Sequence, residues 1–135
     1  MVCPHCQQQT QVINSRHQKR LNQVWRRRKC VSCSTVFSTH EKADYGALWR
    51  VSSNKRPMSP FNRDKLFLSL LESCKHRSTA LADAASLADT VISQLAPHVT
   101  NGALTTKEII ISSQVALNRF DKAASTHYQA FHPDK

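Results

Sequence analysis

Hydrophobic residues are spaced differently in the two halves of the chain. Up to residue 60 they occur in short segments typical of strands: Gln11 to Ile13, a segment beginning at Val24, residues 36–40, and a segment beginning at Trp49. From Phe61 onward, apolar residues recur at helical spacing. The pattern therefore predicts an α+β chain, with a small β-rich N-terminal part and a mainly helical remainder.

Capping signals divide the helical part into four segments. Asn62 is a plausible N-cap for the first helix, and Ser78 or Thr79 for the second, which Pro97 limits. Thr105-x-x-Glu108 is a capping box that opens the third. A short fourth helix is expected from about residue 123. We expect a small four-helix domain, with strand pairing from residues 49–56 covering one end.

Four of the five cysteines form two Cys-x-x-Cys turns separated by 23 residues: Cys3, Cys6, Cys30 and Cys33. Four thiolates in this arrangement are typical of a tetrahedral zinc site. Two disulfides or a redox Cys-x-x-Cys fit less well, because no signal peptide precedes Cys3 and no βαβ pattern surrounds either turn. We expect one Zn²⁺ per chain in a zinc ribbon over residues 1–42, a linker over 43–48, and a second domain over 49–135.

Positive charge is concentrated in the N-terminal half. Of the net charge of +10, residues 1–60 contribute +9, with eleven Lys/Arg and two acids, and residues 61–135 contribute +1. Four adjacent cations, Arg26, Arg27, Arg28 and Lys29, run directly into Cys30, so the metal would hold them on a rigid strand. A merely solvated face is the alternative, but like charges repel one another, and an anionic partner such as double-stranded DNA explains the run better.

No catalytic motif is present in the sequence: it contains no glycine-rich phosphate loop and no His-Glu-x-x-His. We therefore expect a protein that is not an enzyme. No apolar run approaches the 18 residues of a membrane span, so we expect no membrane partner and a cytoplasmic, nucleoid-associated location.

Taken in order, these motifs resemble the NrdR-type repressors of bacterial ribonucleotide reductase genes. The resemblance covers nearly the whole chain and is closest in the ribbon half. Its matching segments are Cys3-Pro4-x-Cys6, Val12-Ile13-Asn14-Ser15-Arg16, Arg26-Arg27-Arg28-Lys29-Cys30, Cys33, Phe37-Ser38-Thr39-x-Glu41, Pro60-Phe61-Asn62-x-x-Lys65-Leu66 and Asp121-Lys122.

The resemblance implies a zinc ribbon that binds paired operator boxes, joined to an ATP-cone domain that senses ATP against dATP and changes the oligomer. It implies that Cys3, Cys6, Cys30 and Cys33 bind zinc and that Arg16 and residues 26–28 contact DNA. Lys55, Arg56 and Lys65 are the residues expected to bind nucleotide.

The chain departs from the family pattern where the cone's hairpin holds phosphate. Ser53 stands in place of a lysine and Arg56 in place of the turn glycine. Lys55 and Arg56 can take over the phosphate contact only if the hairpin changes register, which moves side chains between faces. Two hypotheses stay open: a zinc-dependent, homo-oligomeric repressor that senses nucleotide, and a zinc-ribbon interaction protein whose degenerate cone docks on another protein.

Overall fold

The computed structural model describes residues 1–54 and 56–133, and the chain separates into two compact units between Ala43 and Asp44. The first unit is built from strands and the second mainly from helices. This confirms the α+β class expected from the change in hydrophobic spacing.

Three antiparallel strands form the first unit: β1 (Thr10–Gln18), β2 (Gln23–Cys30) and β3 (Val36–Lys42), in the order β1-β2-β3. A 3₁₀ turn at Lys19–Leu21 and a left-handed Asn22 (φ 48°) connect β1 to β2. The predicted first strand was too short. Pairing with β2 continues as far as Gln18↔Gln23, so β1 extends five residues beyond Ile13.

The second unit contains two groups of elements. Its sheet consists of β4 (Arg50–Ser53), β5 (Arg56–Pro60) and β6 (Ala103–Thr105), with β4 central, antiparallel to β5 and parallel to β6. Its helices are α1 (Tyr45–Leu48), α2 (Arg63–Cys74), α3 (Ala80–Leu95), α4 (Thr106–Phe120) and α5 (Lys122–Phe131).

The segment expected to be a linker, residues 43–48, contains the short helix α1. Asp44 accepts a hydrogen bond from the backbone N–H of Ala47 at 3.2 Å and so caps this turn. The ring of Tyr45 packs against that of Trp49 at 4.3 Å between centroids. These contacts attach α1 to the second unit.

One hydrophobic core holds the second unit together. Leu70 and Cys74 of α2, Val91 of α3, Leu117 of α4 and Tyr128 of α5 are all almost completely buried. Burial also raises the pKa of the Cys74 thiol, as expected of a buried structural cysteine. Within the described ranges, no helix combines the length and apolar character needed to cross a membrane.

Two of the predicted helix caps are confirmed. The Asn62 side chain accepts the N–H of Lys65 at 3.0 Å, and Thr105 and Glu108 form the reciprocal capping box. Thr79 occupies the N-cap of α3 but makes no capping bond, because its hydroxyl donates to Asp83 at 2.6 Å.

Candidate metal centre and nucleic-acid interface

The four paired cysteines converge at one end of the ribbon, with all sulfur atoms within 4.8 Å of one another. The Sγ of Cys6 lies 3.4 Å from that of Cys33 and 3.5 Å from that of Cys30, and Cys3 lies 3.7 Å from Cys33. Tetrahedral zinc with Zn–S bonds of about 2.3 Å separates its sulfurs by about 3.8 Å. None of these cysteines is in a disulfide. The cluster therefore fits a zinc ion.

Two similar turns position the sulfurs. The N–H of Cys3 donates to the carbonyl of Gln8 at 2.8 Å, and the N–H of Cys30 donates to that of Thr35 at 2.9 Å. One residue after each second cysteine, Gln7 and Ser34 both adopt the left-handed conformation with φ 61°. The equivalence of the two turns points the sulfurs of both pairs at a common centre.

Backbone amides are directed at the sulfurs of Cys3 and Cys30. The amides of Ser32 and Cys33 both donate to the Cys30 sulfur at 3.4 Å, and the amide of His5 donates to that of Cys3 at 3.4 Å. Such donors favour the thiolate, which is the metal-binding form.

The pKa values of Cys33 and Cys6 are shifted in opposite directions. Hydrogen bonds with the side chain and backbone of Thr35 lower the pKa of Cys33 to about 5. The pKa of Cys6 is raised to about 12: the Gln8 backbone lowers it, but the neighbouring Cys33 sulfur and burial together raise it more. Four thiolates this close repel one another strongly, and a divalent cation removes that repulsion. The chemistry of the donor set thus agrees with its geometry.

One face of the three-stranded sheet carries most of the ribbon's free positive charge. Side chains of directly paired residues project from the same face, and the pairs Asn14↔Arg27, Arg16↔Trp25, Gln11↔Lys29 and Gln23↔Lys42 share one face. We call this surface the cationic face and define it by Arg16, Arg27, Lys29 and Lys42. All four residues are exposed and form no ion pair within the described part of the chain.

The remaining two arginines of the basic run lie on the opposite face. Arg26 is paired with Ser15 and Thr39 in the sheet and forms an ion pair with Glu41. Arg28 donates to the hydroxyl of Thr10 at 3.4 Å, while its Nε is buried. The structure therefore divides the predicted DNA-binding set: Arg16, Arg27 and Lys29 are together, and Arg26 and Arg28 are apart from them.

Trp25 lies on the cationic face beside Arg16. The Arg16 guanidinium lies 5.8 Å from the centre of the Trp25 ring, within the range of a cation–π contact. Trp25 is half-buried, consistent with an aromatic side chain that packs on the ribbon. The contact holds Arg16 against the sheet and restricts its rotamers.

A cleft of about 360 Å³ opens in the second unit between β5, α2 and the end of α5. Arg56 and Lys65, two of the expected nucleotide-binding residues, both line it; the third, Lys55, lies outside the described residues. Ile109 and Ile110 of α4 supply an apolar wall. No carboxylate lines the cleft among the described residues, so its charged groups favour an anion.

The β4–β5 hairpin contains a one-residue irregularity next to this cleft. Val51 pairs with Ser59, but Ser53 pairs with Arg56, so the register shifts between Val51 and Ser53. An irregularity of this kind changes which side chains share a face. Arg56 lines the cleft in this register.

Comparison with known proteins identifies the family. A family model described as the N-terminal domain of NrdR-like transcriptional repressors matches residues 1–41. A transcriptional repressor NrdR from Alkaliphilus oremlandii is 35% identical over 111 residues, which are 82% of this chain and 70% of the relative. One from Fervidobacterium nodosum is 30% identical over 128 residues, which cover 89% of this chain and 83% of the relative. The chain belongs to the NrdR family of transcriptional repressors.

Membership of the NrdR family agrees with the four-cysteine zinc ribbon and supports Zn²⁺ as its metal. A third relative, the NrdR repressor of Symbiobacterium thermophilum, is 35% identical over 91 residues, covering 67% of this chain and 60% of its own length. The similarity to NrdR repressors thus extends well beyond the ribbon.

Sequence reasoning missed Lys42 as part of the cationic face. Lys42 follows Glu41 in sequence and has no basic neighbour, so no local pattern marks it. Its pairing with Gln23 across β2 and β3 places it on the face of Arg27, while Glu41 falls on the other. Only the register of three strands shows this separation of charges.

Proposed function

We propose that this NrdR-family protein is a zinc-dependent repressor whose ribbon binds duplex DNA through the cationic face. The observation that carries the proposal is the separation of charge on the sheet. Arg16, Arg27, Lys29 and Lys42 share one exposed face, and the only acid in the strands, Glu41, lies on the other.

The spacing of these cations suits a phosphate backbone. Arg27 and Lys29 are two residues apart on one strand, about 7 Å, and Arg16 lies diagonally across from Arg27 at a similar distance of about 7–8 Å. The major groove of B-DNA, about 12 Å wide, admits two neighbouring β-strands, and three of the four cations lie on the neighbouring strands β1 and β2. Arginine adds forked donors that can contact phosphate or guanine.

In this proposal the metal acts by cross-linking rather than by chemistry. Cys3 and Cys6 would be joined through zinc to Cys30 and Cys33, which fixes the end of β2 that follows Arg27 and Lys29. The arginine side chains then start from a backbone that is already ordered, so DNA binding costs less conformational entropy.

DNA binding is tested by fluorescence anisotropy with a labelled duplex over a range of salt concentrations. Lysine and arginine contacts with phosphate release counterions, so affinity should fall linearly with salt on logarithmic axes. An affinity that is independent of salt, or absent at low salt, would overturn the proposal.

We also propose that the cleft of the second unit binds the phosphates of an adenine nucleotide. Arg56 and Lys65 supply cations, the N-terminus of α2 opens beside them at Asn62, and Val51, Ile109 and Ile110 supply apolar surface for a base. The position of Arg56 in the irregular hairpin supports its use in place of the missing lysine.

The bound nucleotide would regulate DNA binding through the number of associated copies. A single small DNA-binding module buries about 600–1,000 Å², which is little for a selective site. Self-association through the second unit would bring several ribbons to adjacent boxes and raise avidity through effective concentration. ATP and dATP can control this only by favouring different oligomers.

Size-exclusion chromatography with ATP, with dATP and without nucleotide tests this regulation. The proposal expects elution positions that differ between ATP and dATP, and duplex binding that follows the oligomer. Elution and duplex binding that are unaffected by either nucleotide would favour instead a cone that docks on another protein.

A further inference from the structure

We propose that His132 makes anion binding in the cleft of the second unit proton-dependent, so that its ligand binds more tightly at lower pH. This inference rests on the proposed nucleotide site and adds a property that Arg56 and Lys65, the Lys/Arg residues lining the cleft among those described, do not provide. It is carried by the position of His132, its two ring contacts and the charge of the cleft.

His132 lines the cleft together with Arg56 and Lys65. Its ring stacks on that of Tyr128 with centroids 4.1 Å apart and an angle of 17° between planes. Tyr128 is 2% exposed, so the stack fixes the imidazole against the core of the unit. The ring therefore has a defined orientation at the wall of the cleft.

The contacts of the two ring nitrogens define the neutral tautomer. Nδ1 lies 3.1 Å from the carbonyl oxygen of Tyr128, which can only accept, so Nδ1 carries the hydrogen. Nε2 lies 3.4 Å from the hydroxyl of Ser69 and therefore accepts from it. In this state the Ser69 hydrogen is directed at His132 and is not offered to a ligand.

Protonation of Nε2 reverses this arrangement. The imidazolium donates from both nitrogens, so Ser69 no longer needs to donate to the ring and its hydroxyl hydrogen becomes available. The cleft then gains a positive charge and a hydroxyl donor on the same wall. Histidine is the side chain that ordinarily changes charge between pH 5 and 8.

Among the described residues, no carboxylate lines the cleft around His132 to oppose a bound anion. On α5, which ends just before His132, the nearby titratable groups are Tyr128 and His127, and the Nδ1 of His127 lies 3.2 Å from the hydroxyl of Ser73. Lys65 comes from α2 and Arg56 from β5; α4 contributes Thr106, Ile109 and Ile110, which are uncharged. An anion held among these groups favours protonated His132, and by linkage protonation favours the anion.

The test is isothermal titration calorimetry of the full chain with ATP at pH 6.2 and pH 7.8. In going from pH 7.8 to pH 6.2, the ATP affinity of the wild type should rise about tenfold more than that of His132→Gln. One added positive charge close to a bound anion strengthens binding by a factor of this order. Comparison with His132→Gln removes the contribution of ATP's own terminal phosphate, which also titrates in this range.

His127→Gln is the matched control. It removes a nearby histidine, on α5, that does not line the cleft, so the pH dependence of ATP binding in this variant should equal that of the wild type. A second measurement needs no variant: addition of ATP at pH 7 should shift the His132 imidazole signals in the NMR spectrum toward those of the protonated ring.

The outcomes separate this inference from the proposed function. If the wild type binds neither ATP nor inorganic tripolyphosphate at either pH, the nucleotide site itself is refuted and the inference with it. If ATP binds, but His132→Gln keeps the wild-type pH dependence or the His132 signals do not move, the inference alone is wrong.

Discussion

Because the basic run is divided between two faces, two double variants with the same net charge can be compared for DNA binding. Replacing Arg16 and Arg27 with glutamine removes two charges from the cationic face. Replacing Arg26 and Arg28 removes the same charge from the opposite face. If only the cationic face contacts phosphate, the two double variants should differ strongly in DNA binding although their net charge is identical.

The expected size follows from counterion release. Arg16, Arg27 and Lys29 contacting one phosphate each give a slope of about −2.7 for the logarithm of affinity against the logarithm of salt. Between 50 and 200 mM salt, the DNA affinity of a wild-type ribbon then falls about 40-fold. In Arg16→Gln/Arg27→Gln, where Lys29 is the one contact of the three that is left, it falls about 3.5-fold. A further phosphate contact from Lys42 would steepen the salt dependence equally in the wild type and in Arg16→Gln/Arg27→Gln.

The assay is anisotropy with a labelled duplex, with zinc content measured for each variant. Arg26→Gln/Arg28→Gln breaks the half-exposed Arg26–Glu41 pair, and exposed pairs of this kind contribute little to stability. That variant should therefore keep its zinc and nearly the wild-type salt slope. A larger loss of slope in Arg26→Gln/Arg28→Gln than in Arg16→Gln/Arg27→Gln would refute the assignment of the DNA-binding face.

Two further predictions concern the second unit. Thr105→Ala removes the capping box of α4 and should lower the free energy of unfolding by about 0.5–2 kcal/mol in urea denaturation, whereas Thr106→Ala, one residue further on, should have a smaller effect. Hydrogen bonds from the Ala124 backbone, His76 and Arg77 hold the pKa of Asp121 well below its usual range. The stability that Asp121 contributes is therefore present above about pH 4 and lost as pH falls below it. Asp121→Asn should weaken this loss of stability at low pH. The measurement is urea denaturation at several pH values, followed by NMR signals of the second unit. An unchanged pH dependence in Asp121→Asn would contradict the role given to Asp121.

Features set by local spacing were predictable from the sequence. Two Cys-x-x-Cys turns can place four sulfurs around one metal on almost any short hairpin, so the spacing alone identified Cys3, Cys6, Cys30 and Cys33. The capping box at Thr105 and the N-cap at Asn62 depend on residues three positions apart, and both are present as predicted.

Features set by distant pairing were not predictable. Strand β6 is only three residues long, and it forms because Ala103 to Thr105 pair in parallel with Arg50 to Ser52, some 50 positions earlier. Alternation along one strand already predicts that Arg26 and Arg28 lie on one face and Arg27 and Lys29 on the other. Which of these faces also carries Arg16 and Lys42 depends on the register of β1 and β3 against β2.

The zinc cross-link is tested most directly by measuring zinc content and duplex affinity on the same sample, before and after chelation and in Cys30→Ser. We expect one zinc per chain in the wild type. Loss of zinc should abolish DNA binding and unfold residues 1–43, while the second unit stays folded because its core contains none of these cysteines. Full duplex affinity in a zinc-free Cys30→Ser protein would contradict the account.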